Sequence, residues 1–392
     1  MRSFDAVLEA ELAELAILDR RRACPEVDGL SRTMVTVAGQ RRLSFCSNDY
    51  LGLADHPALA TAASAAAHRD GFGASASRLV SGDLPAHRQL EQALARFLGR
   101  EAALLFPSGY QTNIGVLTAL AGPDDVIVSD ALNHASIIDG CRLSRARILV
   151  YPHADGEAAA RLLAQTRTAR RRLLVTESLF SMNGDAAPLA PLAEAAHAHD
   201  AILVVDEAHA LGVLGPQGRG LCAAAGIVPD VLIGTLGKAL AAAGGFAAGS
   251  RGLRELLVNR ARSFIFTTAL PPPVAAAALA ALEIIDSSEG ERRRALLRAH
   301  ADRLAAQLTA LRPDTRGTPP GTAPGSPIQP FVVGTDAAAL ALSAALGRQQ
   351  IFVPAIRPPT VPPGSARLRI TLSAAHLSAD LDRLLLALRP LE

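Results

Sequence analysis

Lysine is all but missing from this chain of 392 residues. Lysine and arginine together number 39, and 38 of these are arginine, which leaves Lys238 as the single ε-amino side chain. Arginine serves wherever charge alone matters, so the one retained lysine points to chemistry that charge does not supply. A primary amine can lose its proton and attack a carbonyl to form an imine. A guanidinium, whose pKa lies above about 12, cannot.

Other scarcities narrow the function further. Tryptophan is absent and aromatics make up only 4%, so alanine, leucine and valine must fill the core of a chain that is 49% hydrophobic. The four cysteines, Cys24, Cys46, Cys141 and Cys222, are far apart. They have neither metal-ligand spacing nor the density of a disulfide scaffold, which points to a reducing compartment. A net charge of +2 excludes a dedicated nucleic-acid binder. The first 22 residues carry Asp5, Glu9, Glu11 and Glu14 among apolar positions, the pattern of an acidic amphipathic helix and not of a signal peptide. Pro271–Leu282 is apolar but too short and too proline-broken to span a bilayer. The expectation is a soluble, cytoplasmic protein with no nucleic-acid or membrane partner. Asp206-Glu207-Ala208-His209 spells a helicase box, but no Gly-x-x-x-x-Gly-Lys-Ser/Thr loop precedes it, which removes the nucleotide-hydrolase reading.

What is present is an alternation. Apolar runs at Val126–Val128, Ile148–Tyr151, Leu173–Thr176, Ile202–Val205 and Val231–Ile233 read as buried strands, with Phe246–Gly249 a further short one. Helical patterns at Asn113–Leu120, Glu157–Arg167 and Leu189–His199 separate most of them. This predicts an α/β fold with a mainly parallel, doubly covered sheet. Residues 4–18, 59–69 and 84–98 read as helices, and 33–46 as short strands around a turn at Ala38-Gly39-Gln40. A long helix from Pro272 to about Ile285 is broken by Ser287–Gly290. A helix from Glu291 to about Leu311 follows, then a Pro/Gly/Thr-rich loop at Arg312–Pro327. The expected division is an N-terminal helix with short strands (1–47), a large domain (48–287) and a small C-terminal α/β domain (288–392).

In doubly wound sheets, ligands bind beyond the carboxyl ends of the strands. Asp206 and His209 follow one strand end, and Gly234-Thr235-Leu236-Gly237-Lys238 follows another. Ser108-Gly109-Tyr110 opens a helix whose free N–H groups suit a phosphate, and Asn133-His134 follows a third strand. An anion site, a carboxylate, two histidines and an imine-forming amine fit pyridoxal phosphate (PLP). Its phosphate needs the helix start, its pyridine nitrogen a carboxylate, and its aldehyde a lysine.

The motifs Asn48-Asp49-Tyr50-Leu51-Gly52-Leu53, Ser108-Gly109-Tyr110, Asn133-His134-Ala135-Ser136, Glu177 with Phe180-Ser181-Met182, Asp206-Glu207-Ala208-His209 and Gly234–Lys238 occur in this order. Together they resemble the α-oxoamine synthases, PLP-dependent enzymes of fold type I, from about residue 18 to the end of the chain. The resemblance implies a seven-stranded-type sheet in the large domain and a homodimer with shared sites. It makes Lys238 the cofactor-binding lysine and the mover of the Cα proton. Asp206 is implied as partner of the ring nitrogen, His209 of the ring hydroxyl oxygen, and His134 as the residue stacked on the ring and also in contact with substrate. Gly109, Tyr110 and Thr235 fall at the phosphate end, and Ser181 lines the pocket. Arg369 resembles the arginine that takes the amino-acid carboxylate, Thr360 contacts substrate, and Arg22, with Arg20 as the alternative, resembles a substrate-binding arginine. Thr267 or Thr268 would reach the phosphate of the neighbouring subunit. The segment Ala355–Pro362, followed by Ala366-Arg367-Leu368-Arg369, resembles the branch that condenses L-alanine with a pimeloyl thioester, carried by coenzyme A or an acyl carrier protein, on the way to biotin. Another α-oxoamine synthase, such as one acting like glycine C-acetyltransferase, and a non-catalytic PLP-binding module are the alternatives. One departure is Ala76, where the family's Gly-rich stretch has a further glycine; the added methyl is expected to tighten the acyl entrance or shift the local backbone.

Overall fold

Five apolar runs rich in β-branched residues, with two strands that have none, form one sheet of seven strands. The computed structural model describes residues 3–29, 33–311 and 321–389. The strands, in chain order, are β1 (Ala102–Phe106), β2 (Val126–Asp130), β3 (Arg147–Tyr151), β4 (Arg172–Glu177), β5 (Ile202–Asp206), β6 (Val231–Thr235) and β7 (Gly245–Gly249). Their spatial order is β1-β7-β6-β5-β4-β2-β3, with only β7 antiparallel to its neighbours.

Alternation along these strands separates two cores. Ile127, Leu173, Val175, Val204, Val231 and Ile233 join one apolar cluster, and Val126, Val128, Leu174, Leu203 and Val205 join the other. Successive side chains point to opposite faces, so a strand apolar at every position must be covered on both. Each fully buried Val, Leu or Ile contributes about 1.5–3 kcal/mol. The strands are thereby fixed in register, and whatever follows their carboxyl ends inherits that order.

Strand β1 was not expected from the sequence. Its Ala-Ala-Leu-Leu-Phe run lacks β-branched residues, and it is extended because it pairs antiparallel with β7, Ala102 opposite Gly249 and Phe106 opposite Gly245. The helices Ala135–Ser144 and Arg251–Arg260 were also missed. The helix expected to begin at Asn113 begins at Gly109, and that expected at Glu291 begins at Ser288, so the interruption after Ile285 is shorter than Ser287–Gly290. Ala76, the departure from the Gly-rich pattern, has ordinary backbone; Ser75 beside it takes the positive φ of 62°.

The chain divides into two compact units. One runs from Asp49 to Ser181 and from Asp185 to Leu296; the other comprises the chain up to Asn48, Met182–Gly184 and the chain from Leu297 onward. The N-terminal segment therefore belongs with the C-terminal one. Strand Gln40–Ser44 pairs in parallel with Ile351–Phe352, Leu43 opposite Ile351, a contact between residues more than 300 positions apart. The hairpin Met34–Val37/Gln40–Ser44 turns at Ala38 and Gly39, both with positive φ. A second sheet of this unit pairs Ile328–Gly334 with Ala366–Thr371, which pairs in turn with Ala355–Ile356. Of the Pro/Gly/Thr-rich loop, residues 312–320 lie outside the described residues. No described helix is long and apolar enough to cross a membrane.

Candidate active site

Parallel pairing brings the strand ends together. Glu177, last residue of β4, lies opposite Asp206, last of β5, and Asp206 lies opposite Ile233 two residues before Thr235 ends β6. The helix Gly109–Leu120 starts at the same edge. Ser108 caps it in extended backbone, its Oγ accepting the Gln111 N–H at 3.1 Å. Gly245 allows β7 to run against this first turn. A Cβ there would fall 2.5 Å from Thr112 Oγ1 and 2.7 Å from the Gly109 nitrogen.

A cavity of about 160 Å³ opens at this edge. Seven of the eight expected cofactor residues line it: Gly109, Tyr110, His134, Asp206, His209, Thr235 and Lys238. Ser181 is buried but is not among the lining residues; its N–H donates to Glu177 Oε2 at 3.3 Å. A larger cavity in the same unit, about 440 Å³ and bordered by Arg78, Asp83 and Glu91, contains closed ion pairs and no nucleophile.

The lysine sits at one end of a relay. Lys238 Nζ is 2.7 Å from His209 Nε2, and His209 Nδ1 is 2.7 Å from the Tyr50 hydroxyl. Asp206 is held by two donors, Asn113 Nδ2 on Oδ2 at 2.8 Å and the Ala208 N–H on Oδ1 at 2.8 Å. Bonds of this charge-assisted kind fix the orientation of a carboxylate. Asn113 Nδ2 also donates to Ser136 Oγ at 3.0 Å, and Ser136 Oγ lies 2.7 Å from His134 Nδ1. The carboxylate and the histidine are thus tied through Asn113 and Ser136. Glu207, between Asp206 and Ala208, is fully buried and accepts from Ser178 Oγ and from the N–H groups of Leu221 and Cys222, a buttressing role. Tyr110 borders the cavity, and its hydroxyl donates to Asp139.

Electrostatics divide the ionisable walls. Burial holds His134 below the usual histidine range; the Asp206 charge opposes this and the Lys238 charge adds to it. Burial pushes Glu177 up to about 8, with Asp206 raising it further and Lys238 opposing, so at neutral pH this carboxyl keeps its proton. Tyr50, Asn113, Ser136 and Glu177 carry roles that sequence reasoning did not assign. Their proximity to the family motifs was the available signal, and only long-range geometry gives each its partner.

The residues suit PLP. Two buried polar atoms of cavity-lining residues, Glu177 Oε1 and Asn113 Oδ1, have no hydrogen-bond partner among the described residues. Free N–H groups at the start of the Gly109 helix suit a phosphate, and the amine, carboxylate and imidazoles match the needs of an aldehyde-bearing pyridine.

Of the four expected substrate residues, His134 lines the cavity, and Arg22, Thr360 and Arg369 lie in the other unit. Arg369, on the strand Ala366–Thr371, is buried and donates to Asn48 Oδ1 at 3.2 Å. Arg22 donates to the Pro358 carbonyl at 2.8 Å, two residues before the exposed Thr360, whereas Arg20 pairs with Asp336 at 3.4 Å. Thr267 and Thr268, in the large unit, do not line the cavity.

Comparison with known proteins follows the same line. Residues 41–388 match the family described as aminotransferase class I and II. The 8-amino-7-oxononanoate synthase of Anaeromyxobacter dehalogenans is 54% identical over 381 residues, 97% of this chain and 94% of that protein. A serine palmitoyltransferase solved with PLP superposes with a TM-score of 0.91 at 30% identity, covering 100% of this chain and 98% of that one. The 8-amino-7-oxononanoate synthase of Francisella tularensis gives 0.73 at 28% identity, over 89% and 96%.

Proposed function

From a chain that belongs to the class I and II aminotransferase family and, within it, to the PLP-dependent α-oxoamine synthases, we propose an 8-amino-7-oxononanoate synthase. The net reaction joins L-alanine to a pimeloyl thioester. The alanine Cα–carboxylate bond breaks and releases carbon dioxide, a Cα–carbonyl bond forms, and the carrier thiol leaves. The carbon count of the product supports this pairing: seven carbons come from the acyl group and two from decarboxylated alanine. The identity of 54% over nearly the whole chain carries the choice within the family.

Bound PLP supplies an electrophilic aldehyde and a protonated ring that stabilises negative charge beside the amino nitrogen. Lys238 would hold the aldehyde, and its freed Nζ would take the proton from Cα of alanine and return it later. Asp206, oriented by Asn113 and Ala208, would keep the ring nitrogen protonated. His209 would take the ring hydroxyl oxygen, with Tyr50 fixing its other nitrogen. His134, kept neutral by burial, would pack on the ring. Gly109 and Thr235 would hold the phosphate, with Tyr110 beside them and Ser181 bordering the pocket. Arg369 would receive the alanine carboxylate. Arg22 and Thr360 would meet the acyl substrate; the Arg22 bond to Pro358 supports Arg22 over Arg20.

The reading includes a homodimer and a cytoplasmic setting. Exposed apolar side chains, Phe72 at 78%, Val80 at 81% and Phe266 at 70%, support a partner surface. Borohydride reduction followed by peptide mapping is the test: the label falls on Lys238, and Lys238→Arg loses both label and turnover. Alanine with pimeloyl thioester releases carbon dioxide stoichiometrically. Preference for glycine with a short acyl thioester would assign a different synthase, and an unlabelled Lys238 would remove the PLP reading altogether.

A further inference from the structure

His153 lies outside the cavity, two residues after β3 ends, and the roles above do not use it. Its ring is bonded on both sides by carboxylates: Nδ1 is 2.9 Å from Asp130 Oδ1 and Nε2 is 2.6 Å from Asp185 Oδ2. The two aspartate side chains are only 1% and 3% exposed. Phe180 packs edge-on against the imidazole, ring centroids 4.3 Å apart. Two carboxylate acceptors require a donor at each ring nitrogen, which only the imidazolium provides. Losing that proton would leave two buried carboxylates facing a neutral ring. Burial opposes the charge, but the two aspartates outweigh it and hold His153 up to about 9. Tyr151 is the nearby buried phenol; burial and the Asp130 charge keep it protonated well above its ordinary range.

Both carboxylates belong to segments that carry site residues. Asp130 ends β2 and shapes the turn into His134: its Oδ1 accepts the Leu132 N–H at 2.8 Å, and its carbonyl accepts the Asn133 N–H at 3.3 Å. Asn133 then locks to β4, donating to the Val175 carbonyl and accepting the Glu177 N–H. Asp185 closes the chain around Ser181. Its carbonyl accepts the Phe180 N–H at 2.9 Å, and Leu179 bridges Ala186.

We propose that His153 is a positioning residue of the cofactor site, its doubly bonded ring clamping the His134 turn to the segment that carries Ser181 so that both are set before the cofactor arrives. The proposal rests on the PLP reading. Its test uses His153→Gln, which retains a side-chain donor but no charge, and Asp185→Asn, which leaves the Asp130 pairing intact. Both variants still trap PLP at Lys238 under borohydride. Both release it about tenfold faster than wild type, with a weakened visible circular-dichroism band, because the ring is less firmly seated. As the pH rises from about 6.5 to about 9, apo wild type loses more melting temperature than His153→Gln, because only the wild type gives up the His153 proton. Wild-type release rates and dichroism in both variants, with only a lower melting temperature, would reduce His153 to a structural residue. If His153→Gln does not fold, Asp185→Asn alone decides. Failure to label Lys238 in the wild type is a distinguishable result: it refutes the PLP reading and, with it, the cofactor-positioning role of His153.

Discussion

Replacing Glu177 by glutamine should make the cofactor-free protein more stable, and increasingly so as pH rises. The carboxyl is 2% exposed and is pushed from an ordinary 4.5 to about 8, chiefly by burial and then by the charge of Asp206. Below pH 4.5 the group is protonated in folded and unfolded chains alike and has no effect. Between 4.5 and 8 the unfolded chain gives up its proton and the folded one keeps it, so the folded state is progressively disfavoured; above 8 the penalty is constant. At 1.36 kcal/mol per unit, the penalty is about 1 kcal/mol at pH 5, about 3 at pH 7 and about 5 at pH 9. Glutamine removes the titration and keeps an amide oxygen for the Ser181 N–H. Urea unfolding of apo wild type and Glu177→Gln at these three pH values measures the difference by linear extrapolation. His153 titrates in both proteins and cancels. A difference that does not change with pH, or a variant less stable at pH 9 than wild type, would refute the claim that burial keeps this carboxyl protonated.

Three further outcomes follow from the site geometry. Asp206→Asn keeps the Asn113 and Ala208 neighbours but removes the charge; turnover falls by orders of magnitude while the melting temperature moves little, and losses in proportion would contradict the electronic role. Tyr50→Phe strips the fully buried partner from His209 Nδ1, destabilising the apo protein by about 1–3 kcal/mol and altering the pH dependence of borohydride trapping at Lys238. Gly245→Ala drives a methyl into Thr112 and the Gly109 backbone, so equilibrium dialysis shows weaker binding of PLP with little change for pyridoxal, which lacks the phosphate.

Much of this molecule was legible in one dimension. Four apolar runs announced buried parallel strands because a strand covered on both faces has to be apolar throughout, whereas the fifth, Ile148–Tyr151, expected to be buried, forms the sheet edge with Val150 exposed. Residues such as Asp206, Thr235 and Lys238, at or just beyond strand ends, marked the cavity because parallel strands present their carboxyl ends on one side. The solitary lysine singled out the one ε-amino group of this sequence that could form an imine, and it lines the cavity. Only tertiary structure could make a strand of Ala102–Phe106, whose residues do not favour one until β7 pairs with them. It alone joined the N-terminal hairpin to Ile351–Phe352. It alone gave Asp206 its Asn113, His209 its Tyr50, and His153 its two aspartates, because a buried polar group is satisfied by whichever partner folding brings within 3 Å, at a separation in sequence that no local pattern records.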